Sequence, residues 1–258
     1  MIEINQPAVF SQYVRSAATF FKTLLLPPRC LSCGLLVASE NALCAECFSE
    51  MKFIENPLCE VTGAPMAYDL KEQVMSATAI AHPPVHRKMR AACLYTGTAK
   101  RLVVNFKFFD HLELADRLAH WMANAGAELL EETDVIVPVP LHRFRFLERR
   151  FNQSAELAKG ISRRTGKPVA LNALQRIRPT KQQVDLDLHE RVQNVEGAFV
   201  VPSSESIEIS GRRVLLIDDV MTTGATASAC TRALLRENAT YVDVLSFAMV
   251  VSGGHESP

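Results

Sequence analysis

Apolar positions along the chain change their period from one region to the next. Val9, Phe10, Tyr13, Val14, Ala17, Phe20, Phe21 and Leu24 recur at i, i+3, i+4 and i+7, the spacing of an amphipathic helix, and Pro27-Pro28 ends it. Arg15 and Lys22 break its apolar face, and Glu3 stands where a signal peptide carries basic residues. No apolar run reaches the roughly 18–20 residues of a membrane span, so this segment reads as a helix docked on the protein body. Through residues 61–130 no single period dominates, and Gly63, Pro65 and His82-Pro83-Pro84 punctuate loops. After residue 131 the pattern alternates. Val135-Ile136-Val137, Val214 to Ile217 and Tyr241 to Phe247 are short, continuous apolar runs, as expected of strands buried on both faces. Asn152 to Arg164 and Thr226 to Arg236 carry helical spacing. Strand and helix in alternation predict an α/β fold, a parallel sheet with helices on both faces. Three zones follow: an N-terminal helix and cysteine-rich module at 1–60, a linking segment packed on the core at 61–130, and the α/β domain at 131–258.

Composition narrows the class. The 258 residues are 48% hydrophobic and 22% charged, with 28 Lys+Arg against 28 Asp+Glu, an ordinary globular balance that excludes a disordered or collagen-like chain. Net neutrality gives no reason to expect a nucleic-acid coat protein. The charge is uneven, however: residues 141–191 hold twelve Lys/Arg and five Asp/Glu, a local +7. Seven cysteines, an odd number with five of them between residues 30 and 59, argue against a secreted disulfide framework and for a reducing cytoplasm.

Four of these cysteines form two Cys-x-x-Cys knuckles, Cys30/Cys33 and Cys44/Cys47, ten residues apart. Two such turns can offer four thiolates to Zn²⁺ tetrahedrally, and Gly34 suits the turn after the second ligand. A closed four-thiolate site is structural. A redox pair would need one knuckle inside a thioredoxin-like pattern, which is absent. Cys59-Glu-Val-Thr62-Gly63 resembles a third knuckle without its second cysteine, so one zinc is expected, not two. His82 and His86 read as turn or surface histidines, and Cys93 and Cys230 as buried small hydrophobes.

In open α/β sheets ligands bind beyond the carboxyl ends of the strands. There, Asp218-Asp219-Val-Met-Thr222-Thr223-Gly224-Ala225-Thr226 leads from a strand into a helix. Adjacent carboxylates can accept hydrogen bonds from vicinal hydroxyls or hold the shell of a divalent cation. The small-residue loop, three threonine hydroxyls and the helix N-terminus form an anion cradle, and Gly224 permits a backbone turn closed to other residues. Acceptors for a diol beside a phosphate cradle make a sugar-phosphate site. The segment resembles the phosphoribosyl-pyrophosphate (PRPP) motif of type I phosphoribosyltransferases. That resemblance implies that Asp218 and Asp219 are catalytic and contact the ribose hydroxyls. It further implies that Thr222, Thr223, Gly224, Ala225 and Thr226 hold the 5′-phosphate, with Mg²⁺ bridging the pyrophosphate.

The first buried strand opens into Pro138-Val-Pro140 and an arginine-rich segment, Arg143-Phe-Arg145-Phe-Leu-Glu-Arg149-Arg150-Phe151-Asn152-Gln153. Guanidinium groups grip phosphate oxygens bidentately, so Arg145, Arg149, Asn152, Gln153 and, further on, Arg191 are candidate contacts to pyrophosphate or nucleic acid. The polar stretch carrying Arg176, Arg178, Thr180, Gln183, Arg191 and Asn194 reads as a hood over the ligand. This ordered set is similar to that of the ComF competence family, from about residue 24 onward. Its members join an N-terminal zinc ribbon to a phosphoribosyltransferase domain, and many carry a second ribbon of four cysteines. The family usually has glycine where Arg150 stands. Lys107, between Phe106 and Phe108, matches a lysine common in the family; an aromatic-flanked lysine there can contact nucleic acid or phosphate, although a surface lysine snorkelling over apolar neighbours is the simpler reading. Two functions stay open. One is a Mg²⁺-dependent phosphoribosyltransferase. The other is a non-catalytic nucleotide or single-stranded DNA binder on the same fold, associated with DNA uptake and the competence machinery, with Phe144, Phe146 and Phe151 as stacking surfaces.

Overall fold

The computed structural model describes residues 27–66, 75–108, 112–141, 151–178 and 197–251. The helix expected between Val9 and Leu24 lies outside them. The chain divides into two compact units, residues 1–50 and 51–258.

In the first unit, the described residues form the turn closed by an antiparallel bridge between Arg29 and Leu36, and a short helix α1 (Ala45–Ser49) capped by Cys44. The second unit is built on strands β1 (Met89–Leu94), β2 (Val135–Pro138), β5 (Arg213–Met221) and β6 (Tyr241–Met249), ordered β1-β6-β5-β2 and parallel throughout. A small antiparallel pair, β3 (Gln175–Arg176) with β4 (Phe199–Val200), stands apart. The helices in chain order are α2 (Ala77–Ala81), α3 (Gly97–Phe108), α4 (Leu112–Ala125), α5 (Ala127–Glu132), α6 (Gln153–Thr165), α7 (Ser206–Ile209) and α8 (Ala225–Arg236).

Alternation along β5 and β6 sends side chains to two covered faces. Val214, Leu216, Val242 and Val244 join Cys230, Ala233 and Leu234 of α8 in one core. On the other side Phe247 stacks on Trp121 of α4 with ring centroids 6.2 Å apart. Leu245 lies so close to Gly126 that a Cβ there would meet its methyls at 2.8 Å. Both faces being buried explains why these strands read as unbroken apolar runs.

The strand β1 was not legible in the sequence, because Arg90 interrupts its apolar run. That guanidinium is only 6% exposed and donates from Nη1 to the carbonyls of Glu60 and Met89, at 2.8 and 2.7 Å. The outer edge of β1 is covered as well: the Met89 N–H donates to the Val61 carbonyl, Ile54 N–H to Ala92, and Leu94 N–H to Lys52. A covered edge cannot template pairing with another chain.

Beside the start of β6, His86 is buried rather than on the surface, and its Nδ1 has no partner among the described residues. Burial pushes this imidazole down to about 4, with Asp243 pulling the other way. Between that value and the roughly 6.5 of an unfolded chain, only the unfolded state carries the extra proton. The associated stability is therefore complete above about 6.5 and is lost as pH falls toward 4, by up to about 3 kcal/mol. The urea midpoint of wild type should fall relative to that of His86→Leu as pH drops through that window. A gap independent of pH would contradict it.

Candidate functional site

Strand β5 does not end at Ile217. It continues through the acidic pair to Met221, pairing Asp218 with Ser246 and Val220 with Ala248 of β6. Both carboxylates are thus held by the sheet rather than by a loop. Asp218 Oδ1 accepts the Asp219 N–H at 2.9 Å and the Ser154 hydroxyl at 3.3 Å. Asp219 Oδ2 pairs with Lys107 Nζ at 2.6 Å, and both side chains are largely shielded, at 15% and 22% exposure. Burial raises the Asp218 carboxyl and the neighbouring Asp219 charge raises it further. The Asp219 N–H, Lys107 and Ser154 pull back, leaving it at about 7. One carboxylate is thus paired while its neighbour holds a proton near neutrality, a separation common at functional sites.

Beyond the pair, Thr222 and Thr223 are exposed. Gly224 takes a left-handed φ of +76° and caps α8, whose first internal bond runs from Ser228 N–H to the Gly224 carbonyl at 2.8 Å. A β-branched or bulky residue would be strained at that φ. Glycine brings no side chain to satisfy the first-turn N–H groups, which suits this end of α8 to an anion. Ala225 is buried and Thr226 partly so.

The first turn of α6 lines the same end of the sheet. Asn152 caps that helix by accepting the Ser154 N–H at 3.1 Å, and its Nδ2 donates to the Val139 carbonyl at 3.1 Å. Asn152 therefore ties the two ends of the arginine-rich segment together and aims Ser154 at Asp218. Gln153 is 2% exposed, and its Nε2 has no partner among the described residues. Arg145, Arg149 and Arg191 lie outside the described residues, as do Arg150, Phe144, Phe146, Thr180, Gln183 and Asn194. Phe151 packs on Phe106, ring centroids 5.7 Å apart, and Arg176 sits over the Phe199 ring at 5.4 Å.

Two contributors were missed in the sequence. Lys107 does not snorkel over a surface but neutralises Asp219. Its signal was the flanking aromatics, since Phe106 is fully buried and anchors the end of α3. Ser154 carried no signal beyond following the Asn-Gln pair. Cys93 and Cys230 are both fully buried; Cys93 Sγ donates to the Phe247 carbonyl at 3.3 Å.

In the first unit, the sulfurs of Cys30, Cys33, Cys44 and Cys47 all lie within 4.8 Å of one another, with Cys33 and Cys44 3.7 Å apart. Four thiolates at Zn–S distances of about 2.3 Å stand about 3.8 Å apart, so the donor set fits a tetrahedral Zn²⁺. Burial pushes the Cys30 thiol up, but backbone N–H groups from Cys33, Cys44 and Ser32 outweigh it and bring it down to about 6. Among the described residues no other group of three or more His, Cys, Asp or Glu side chains converges in this way.

Comparison with known proteins matches both parts. A family model described as a phosphoribosyl transferase domain covers residues 107–257, and one described as a double zinc ribbon domain covers residues 21–80. Competence protein F of Haemophilus influenzae is 29% identical over 226 residues, spanning 85% of this chain and 96% of that protein. DNA utilization protein YhgH of Escherichia coli is 28% identical over 86% of this chain and 96% of its own length. Competence protein ComFC of Bacillus subtilis is 27% identical, covering 84% and 87% respectively.

Proposed function

The chain belongs to the phosphoribosyl transferase family, in the ComF type that sets a zinc ribbon ahead of that domain, and from this premise we propose that it binds PRPP at the carboxyl edge of its sheet. Asp218 and Asp219 accept the ribose hydroxyls, and Thr222, Thr223, Gly224, Ala225 and Thr226 enclose the 5′-phosphate. Asp218 and Asp219 would hold Mg²⁺, which would supply charge neutralisation for the pyrophosphate. Arg145, Arg149, Gln153 and Arg191 add contacts to phosphate oxygens, while Asn152 caps α6 and aims Ser154 at Asp218. The observation that carries this reading is the rigid acidic pair on β5 running directly into a glycine-capped helix, with one carboxylate pre-paired to Lys107. Such a site favours displacement of pyrophosphate at the anomeric carbon through an oxocarbenium-like state, chemistry that needs positioning and charge more than a nucleophile. Calorimetry with PRPP and Mg²⁺, followed by pyrophosphate release across a panel of amine and base acceptors, tests binding and turnover separately. Absence of binding would refute the proposal.

The Asp218 carboxyl gives the site a pH signature. Held at about 7 in the free protein, it carries a proton below that value and then cannot attract a cation or accept two hydroxyl bonds. Affinity for PRPP with Mg²⁺ should rise between pH 6 and 8, by up to about tenfold per unit below 7, and level off above it. Calorimetry at pH 6 should record proton release in buffers of different ionisation enthalpy. Affinity that is flat or falls over this range would contradict the assignment.

Relatives named for competence and DNA utilization favour a second reading, a role in DNA uptake in which the basic 141–191 segment holds single-stranded DNA. A salt titration of DNA binding separates it from PRPP binding, because each neutralised phosphate steepens the salt dependence.

A further inference from the structure

The turn around Cys59 repeats the zinc turn around Cys30 bond for bond. In the first, Cys30 N–H donates to the Leu35 carbonyl at 2.7 Å, Gly34 N–H to the Cys30 carbonyl at 3.0 Å, and Arg29 bridges Leu36. In the second, Cys59 N–H donates to Ala64 at 2.8 Å, Gly63 N–H to Cys59 at 2.8 Å, and Leu58 bridges Pro65. Gly34 and Gly63 share a left-handed φ, +77° and +63°. The correspondence continues into the other half of each ribbon. Cys44 N–H donates to Cys30 Sγ at 3.3 Å, and Ser76 N–H to Cys59 Sγ at 3.2 Å. Cys47 N–H then donates to Cys44 Sγ at 3.5 Å, and Ala79 N–H to Ser76 Oγ at 3.2 Å. Each of these last pairs opens a five-residue helix, α1 and α2. The ligand positions 30, 33, 44 and 47 thus fall on Cys59, Thr62, Ser76 and Ala79.

We propose that this second ribbon is metal-free, with Cys59, Thr62, Ser76 and Ala79 in its four ligand positions and strand β1 holding it in place of zinc. One thiol, two hydroxyls and a methyl do not make a zinc donor set, so the second metal implied by a double ribbon does not fit here. The Cys59 sulfur is satisfied by hydrogen bonds instead: burial raises the thiol, and donors from Thr62 and Ser76 outweigh that and bring it down to about 7.

What fixes the turn is visible on the sheet edge. Met89 N–H donates to the Val61 carbonyl at 2.8 Å, Arg90 Nη1 to Glu60 at 2.8 Å, and Lys88 Nζ pairs with the Glu60 carboxylate at 2.7 Å. A Cβ on Gly63 would meet the Met89 carbonyl oxygen at 2.4 Å, so the turn lies flush on β1. A small ribbon needs metal when it has no core of its own. Residues 27–50 belong to a separate compact unit and carry four thiols, whereas the Cys59 ribbon belongs to the body and carries one.

Restoring the ligands tests this. Wild type purified without added metal should hold one zinc per chain, and Thr62→Cys/Ser76→Cys/Ala79→Cys should hold two. Cobalt substitution should roughly double the thiolate charge-transfer absorption per chain. Two zinc ions in wild type, or one in a triple variant with wild-type circular dichroism, would overturn the proposal. Hydrogen exchange on wild type keeps it falsifiable if the variant misfolds. After chelation, the Gly34 and Cys44 amides should lose protection while those of Gly63 and Ser76 keep it. Loss at both ribbons would mean that the second also depends on metal.

Discussion

Asp218→Asn/Asp219→Asn should abolish PRPP binding while the sheet stays folded. The two amides keep the volume of the carboxylates but remove the charge that attracts the cation and strengthens the bonds to ribose hydroxyls. A hydrogen bond to a charged group contributes about 1.5–3 kcal/mol, so losing two costs about 3–6 kcal/mol, on the order of 10²–10⁴ in affinity. Folding should suffer little. Like-charge repulsion between the neighbours disappears, which offsets the loss of the 2.6 Å pair with Lys107. Calorimetry with PRPP and Mg²⁺ beside thermal melts reads both quantities. Single-stranded DNA gives the contrasting arm, because removing two negative charges should leave its affinity equal or higher. Arg145→Ala/Arg149→Ala should weaken both ligands, since each presents phosphate oxygens. Undiminished PRPP affinity in the acidic double variant would place the ribose elsewhere.

The acidic pair was readable because its chemistry is local: adjacent carboxylates, a Thr-Thr-Gly-x-Thr loop and a helix start are all consecutive in the chain. The strands β2, β5 and β6 were readable for a related reason, since a strand buried on both faces writes its environment into an unbroken apolar run. Neither argument reaches β1. Arg90 breaks its pattern, and only the tertiary structure supplies the Glu60 carbonyl and the Glu128 carboxylate that make a buried guanidinium tolerable. Lys107 failed in the same way. Its partner Asp219 is 112 residues away in sequence, and periodicity carries no information about such a pair. The end of β5 was placed too early because aspartates weaken a strand reading, although pairing with β6 carries the strand to Met221. The first turn of the second ribbon was seen in the sequence at Cys59 and Thr62, but Ser76 and Ala79 became recognisable only through backbone bonds equivalent to those of Cys44 and Cys47.

The largest stability effect should come from the first ribbon. Cys44 has two structural duties besides its thiolate. It caps α1, its sulfur accepting the Cys47 N–H at 3.5 Å, and its own N–H donates to Cys30 Sγ at 3.3 Å. Serine preserves both, because it is a good N-cap and retains the backbone donor. Cys44→Ser therefore removes the ligand and little else. Binding of structural zinc to such modules contributes about 10–16 kcal/mol at neutral pH, far more than the apolar contacts of so short a segment. With three thiolates left, the zinc content should fall from about one equivalent to a small fraction, and the ribbon should unfold as a unit. The body is a separate compact unit whose core lies on the sheet, so its melting should be little changed. Limited proteolysis should accordingly cut Cys44→Ser before residue 51 and leave the remainder resistant, while metal analysis records the lost zinc. A variant that keeps one equivalent of zinc and wild-type resistance would show that Cys44 is not a ligand.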